Sequence, residues 1–201
     1  MTNAFHCFQT LMQDTRNSSV LYDYLHNVVK PPYDYSDLLR WQWAQSVSAL
    51  DKLIHDLIRI GMRESFDGSR PATAKFLNFA ITITAFRQIK QSPIAAPLSF
   101  EQFVTSKNKT LSFQEPVKIA DGLSYIWDES HKWKCISAQM GRSEEDVKTE
   151  LKNISIRRNQ IVHEGDYVAS GLSRQTIEKI DTDEVINFIE QLGTAIYNLV
   201  K

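Results

Sequence analysis

Apolar residues recur at steps of three and four along most of this chain, the spacing that lines one face of an α-helix. The longest stripe runs between Asp37 and Gly61 through Leu39, Trp43, Val47, Leu50, Ile54, Leu57 and Ile58, about seven helical turns. Ser36 is placed to cap this helix and Gly61 to end it. Phe76, Leu77, Phe79, Ala80, Ile83, Phe86 and Ile89 predict a second helix over residues 72–90, with Pro71 at its first position. The β-branched residues 81–84 weaken that period without erasing it. After a linker at residues 93–97, Ser99-Phe100-Glu101-Gln102 has the form of a capping box and opens a short helix. Residues 107–114 read as polar loop. Val117, Ala120, Leu123, Ile126 and Trp127 then predict a helix over residues 116–127, and Trp133, Ile136 and Met140 another that Gly141 ends. Ser143, followed by Glu144, Glu145 and Asp146, starts a helix whose stripe is Val147, Leu151, Ile154 and Ile161. The last helix begins near Asp181 or Thr182 and carries Val185, Ile186, Ile189, Leu192, Ile196, Leu199 and Val200.

Residues 1–30 hold a weaker pattern around Phe5, Phe8, Leu11, Met12, Leu21 and Leu25, which predicts one or two helices packed on the main body. Lys30-Pro31-Pro32 ends them. No repeat and no strand pair is visible. The expected fold is all-α: a bundle of four to five core helices with one or two extra N-terminal helices. It divides into a helical extension at residues 1–35 and a helical domain at residues 36–201, compact as one unit. Seven Gly and six Pro in 201 residues suit long helices. A formal charge of −1 means that any nucleic-acid binding must come from a local patch. Cys7 and Cys135 match no metal spacing, and neither do His6, His26 and His131. No metal or other cofactor is expected. The N-terminus lacks the pattern of a signal peptide, and no apolar run approaches the ~20 residues that cross a bilayer. A reduced, cytoplasmic protein with no membrane partner is the expectation.

One position breaks the patterning. After Ile154 the stripe of the next-to-last helix should continue at residue 158, and the residue there is Arg158. A desolvated guanidinium needs an anion beside it. His163, whose type titrates near neutral pH, follows five residues later. An inward cation and a nearby imidazole suit chemistry on a phosphate. Chance supplies about a quarter of one Arg-x4-His pair in such a chain, so spacing alone also fits a plainer reading. In that reading Arg158 pairs with a carboxylate, and His163 suits the helix C-terminus. Geometry adds a constraint: residues five apart lie about 140° apart round a helix, whereas Asn159 and His163 share a face. Arg158 and His163 can meet if the helix loosens toward Gly165, or if a second copy of the chain supplies one of them across a two-fold axis.

The segment Arg157-Arg158-Asn159-Gln160-Ile161-Val162-His163 resembles the Arg-x4-6-His motif of HEPN domains. The helix from Leu39 to His55 is similar to the first core helix of the RiboL-PSP-HEPN branch. The resemblance covers roughly residues 36–200 and leaves residues 1–35 outside it. It implies a bundle that pairs through the motif helix and, in many members, a metal-independent endoribonuclease acting as a toxin or antiphage effector. Its partners would be RNA, a second copy of the chain, and a neutralising antitoxin or associated defence protein. Arg158, Asn159 and His163 take the catalytic positions. In that chemistry an imidazole of ordinary pKa, ~6.5, accepts the proton of a ribose 2′-hydroxyl. A guanidinium then stabilises the charge that builds on phosphorus. Arg157 would follow the RNA backbone, and Asp51, on the flank of the long stripe, would restrain Arg157 or Arg158 in support. Members modified by a partner nucleotidyltransferase carry Tyr two residues after the motif His; here that residue is Gly165. The alternative function is a non-catalytic module of the same fold that binds a nucleotide, RNA or a partner protein. A third reading makes the motif a salt-bridge knot of Arg158 with Asp51 inside a purely structural bundle.

Overall fold

In the computed structural model, which describes residues 1–168, 171 and 173–201, the stripes fold into nine α-helices. These are α1 (Thr2–Tyr24), α2 (Asp37–Phe66), α3 (Ala74–Leu77), α4 (Ile83–Gln91), α5 (Ala96–Asn108), α6 (Pro116–Leu123), α7 (Lys132–Gln139), α8 (Glu144–Glu164) and α9 (Lys179–Val200). A π-helical turn, Leu25–Val29, continues α1 and closes on left-handed Lys30. Among the described residues there is no strand; Tyr167 and Arg174 form an isolated antiparallel bridge.

α2 is the shared partner. α1, α5, α6, α8 and α9 all pack on it, and α7 bridges α6, α8 and α9. Leu50, Leu53, Ile54, Leu57, Ile58 and Met62 of α2 are buried at the centre. Each such side chain contributes about 1.5–3 kcal/mol by leaving water. The N-terminal segment belongs to the same core. Ala4, Phe8 and Met12 of α1 are buried in it, and Phe5 stacks on Tyr197 of α9 with ring centroids 4.1 Å apart.

Several boundaries differ from the sequence expectation. α2 does not stop at Gly61 but runs to Phe66. A Cβ on Gly61 would lie 2.6 Å from Ile126, so the glycine admits a neighbour instead of ending the helix. Ser36 does not cap α2 with its side chain. The expected helix over 72–90 is two helices, each opened by a threonine whose hydroxyl accepts a backbone N–H: Thr73 for α3 and Thr82 for α4. α5 begins at Ala96, with Pro97 in its first turn, so Ser99 lies inside the helix. α6 ends at Leu123, and turns carry the chain to α7.

The contact of α1 with α9 gives a stability prediction. A Cβ at Gly193 would fall 2.5 Å from the Phe8 ring and 3.2 Å from Leu53. Gly193→Ala should therefore destabilise the chain by about 1–3 kcal/mol, read as a lowered urea midpoint with an unchanged slope.

Candidate functional site

The motif helix has strong ends. The Ser143 hydroxyl accepts the Asp146 N–H at 3.1 Å, and three acidic residues fill the first turn. Gly165 closes α8 in the left-handed conformation, and the Asp166 N–H donates to the Gln160 carbonyl at 3.0 Å. The helix is α-helical through Glu164 and does not loosen toward Gly165. Within one chain Arg158 and His163 therefore diverge. Asn159 and His163 are exposed on the outer face, with Ile156 between the same turns. Arg158 is turned toward the body of the protein and is part-buried.

Arg158 has no carboxylate within ion-pair distance among the described residues. Its Nη1 donates to Asn159 Oδ1 at 3.2 Å, and its Nε is buried without an acceptor. The salt-bridge knot with Asp51 is not formed. Asp51 accepts the backbone N–H of Phe113 instead, which ties α2 to the loop before α6. The support expected of Asp51 for Arg157 or Arg158 is thus absent: its carboxylate is used on a backbone amide.

Arg157 is held by a residue to which the sequence assigned no role. Asp166 is completely buried, and its Oδ2 accepts from Arg157 Nη2 at 2.9 Å and from Arg40 Nε at 2.8 Å. Arg40, on α2, is only 4% exposed. Its other donors reach the Ser36 hydroxyl and the Gln175 carbonyl, at 2.5 and 2.7 Å. Arg157 also donates to Gln175 Oε1 at 2.7 Å and to the Thr176 carbonyl at 3.0 Å. One carboxylate thus serves two guanidinium groups, and it joins α2, α8 and the loop after α8. Asp166 holds φ at 64°, a left-handed value tolerated better by Asp than by most residues. The only sequence signal for this knot was the Gly165-Asp166 pair at the helix end.

α8 and α9 both pack on α2 yet diverge, leaving a groove of ≈ 820 Å³. Its floor includes Trp43, whose indole N–H donates to the Ile154 carbonyl at 3.1 Å. Its rim holds Glu145, Asp146, Glu150, Asp181 and Glu184 against Arg142 and Arg157. Polyanions are repelled on this side. Asn159 and His163, on the outer face of α8, do not line this groove.

The buried knot sets a prediction. Asp166→Ala leaves Arg157 without its carboxylate and Arg40 with only the exposed Asp37, 3.7 Å away, and should cost about 3–5 kcal/mol. Asp51→Ala should cost only about 1–3 kcal/mol, the value of one unsatisfied amide. Chemical denaturation of the two variants against the parent chain measures both.

A family model described as RiboL-PSP-HEPN matches residues 12–201. The match begins inside α1, so it takes in most of the segment that the motif resemblance left outside. No curated protein and no solved structure matches the chain. With a bundle built on α2, a motif helix next to last, and a match that runs from α1 to the final residue, the chain belongs to the RiboL-PSP-HEPN family.

Proposed function

We propose that the chain is a metal-independent endoribonuclease that works as a homodimer, with sites composed of Arg158 and Asn159 from one copy and His163 from the other. One observation carries this reading: a part-buried guanidinium with no counter-ion among the described residues, next to an exposed Asn and His on the open end of α8. An uncompensated cation is costly unless an anion arrives to share it. A backbone phosphate is such an anion, and Arg presents it a fork of donors. The 140° between Arg158 and His163 explains why a second copy is needed, because α8 stays regular to its end. The exposed Ile156 and Val162 supply apolar surface for two copies of α8 to meet.

In the proposed reaction His163 removes the proton from a ribose 2′-hydroxyl. The oxygen attacks the adjacent phosphorus, and the bond from phosphorus to the 5′-oxygen breaks as that oxygen takes up a proton. The products are a 2′,3′-cyclic phosphate and a 5′-hydroxyl. Arg158 stabilises the negative charge of the phosphorane, and Asn159 orients the imidazole or holds a phosphate oxygen. Arg157 is committed to Asp166, Gln175 and Thr176, so it supports the helix end rather than following the RNA chain. A toxin or antiphage effector, restrained by a neutralising partner in the cytoplasm, is the biological role that fits such an activity. The second reading is a non-catalytic module that binds a partner protein, a nucleotide or RNA; the acidic groove between α8 and α9 favours its partner-protein form, with a basic partner.

Incubation with RNA in EDTA separates the two. The parent chain should leave cyclic or 2′/3′-phosphate ends. His163→Ala should be folded and inactive, and Arg158→Ala should lose about 10²–10³-fold in rate. Mixing these two inactive variants should restore about a quarter of the parent activity, because half the dimers then hold one intact composite site. Equal cleavage by parent and His163→Ala, or no cleavage by the parent, rules out the nuclease.

A further inference from the structure

The chain's formal charge of −1 hides one strongly one-sided segment. From residue 68 to residue 100 there is no acidic residue, while Arg70, Lys75, Arg87 and Lys90 are basic. Arg70 and Lys75 have partners, Glu64 and Asp121. Arg87 and Lys90 have no carboxylate partner among the described residues. Among the described residues, the same segment holds three of the four most exposed large aliphatic side chains: Ile94 is 97% exposed, Ile83 74% and Leu77 72%, with Val117, at 77%, outside it.

α4 organises this surface. It packs on α5 through the buried Ala85 and the part-buried Ile89. Ile83, Phe86, Arg87 and Lys90 follow the i, i+3, i+4, i+7 spacing, and so form the opposite, outward face. An ordinary surface helix turns its apolar stripe inward and shows water a polar one. Here the outward stripe is itself apolar, with cations beside it, and the Lys90 ammonium sits 5.9 Å from the Phe86 ring centroid. Ile94 follows in the turn between α4 and α5, and Leu98, in the first turn of α5, is also exposed.

We infer that the α4 face and the turn after it form a docking surface for an anionic lipid bilayer, with Ile83, Phe86 and Ile94 entering the interface and Arg87 and Lys90 meeting lipid phosphates. Of the exposed apolar side chains here only Phe86 could stack a base; Ile83, Ile94 and Leu98 are aliphatic and give bases nothing to stack on. A second copy of the chain would bring Arg87 and Lys90 against their own kind, with no carboxylate in the segment to offset them. An interfacial helix with an apolar face, flanking Lys and Arg, and acidic lipids opposite satisfies both features at once. The sequence expectation of no membrane partner rested on the absence of a spanning segment, and no helix here is long and apolar enough to cross a bilayer. Lying in the surface needs no span.

The test is co-sedimentation of the full chain with vesicles of pure phosphatidylcholine and with vesicles containing about 30% phosphatidylserine. The chain should pellet with the second kind, less so at raised salt. Ile83→Asn/Ile94→Asn and Arg87→Ser/Lys90→Ser, all at exposed positions and checked for folding by circular dichroism, should each lower the partition at least ~10-fold. Absence of pelleting with anionic vesicles overturns the proposal, as does equal pelleting by parent and variants. Single-stranded RNA bound through Arg87 and Lys90 while vesicles stay unbound overturns it in favour of nucleic acid. Self-association abolished by Ile83→Asn/Ile94→Asn, again without vesicle binding, overturns it in favour of a second copy.

Discussion

The ion knot at Asp166 decides how the functional end of the molecule is held. A carboxylate with no solvent exposure accepts from Arg40 of α2 and Arg157 of α8 through the same oxygen. Two positive charges and one negative charge are thereby held close together in a poorly solvated place. Apart from Arg157 Nε and Asp166 Oδ1, which are buried without a partner among the described residues, such an arrangement is held by satisfying the remaining polar groups. Gln175 does most of that: its side chain and backbone carbonyls accept from Arg157 and Arg40, and its own backbone N–H donates to the Asp166 carbonyl at 2.8 Å. The loop after α8 is thus fixed to α2 through charges, whereas the helices of the bundle are joined mainly through hydrocarbon, with ion pairs such as Arg59 and Arg63 to Glu101 between α2 and α5. The last turn of α8, with His163, inherits its position from this knot.

Adjacent arginines in the motif are consequently used in opposite ways. Arg157 is ion-paired to Asp166 and also donates to Gln175 and Thr176, whereas Arg158 has no carboxylate partner among the described residues; the Nε of each is buried without an acceptor. Residue type cannot separate them. The difference comes from the 100° turn between neighbours on a helix, which aims Arg157 at the Asp166 loop and turns Arg158 away from it. The proposed nuclease uses the arginine without a carboxylate partner as the electrostatic element and leaves the ion-paired one as structure.

Much of the fold was legible in the pattern of apolar positions. α2 and α9 have long periods and large buried faces, so their stripes are clean; α8 buries only Val147, Leu151, Ile154 and Ser155, and announced its start through Ser143 and its end through Gly165. The failures have specific causes. Gly61 resembled a stop because glycine is common at helix ends, but here it is a point of close approach to Ile126. The split between α3 and α4 was hidden because the apolar period carries across it, while Thr73 and Thr82 act as caps that a periodicity count does not see. At the site, the phase of Arg158 revealed the anomalous cation, and helical geometry foretold its divergence from His163. The partner of Arg157 was not legible. Asp51 and Asp166 both stand near the right elements, and only the reversal of the chain at Gly165 brings the second inward.

The arrangement around α2 also governs how order is lost. Because α1, α5, α6, α8 and α9 share that one helix, none of its inner hydrogen bonds can open without loosening most of the core at once. α4 is the contrary case, since it rests on α5 and buries little beyond Ala85. Its fraying propagates no further than its neighbour. The chain thus combines a cooperative interior with a rim that can detach and re-form while the motif helix stays in place.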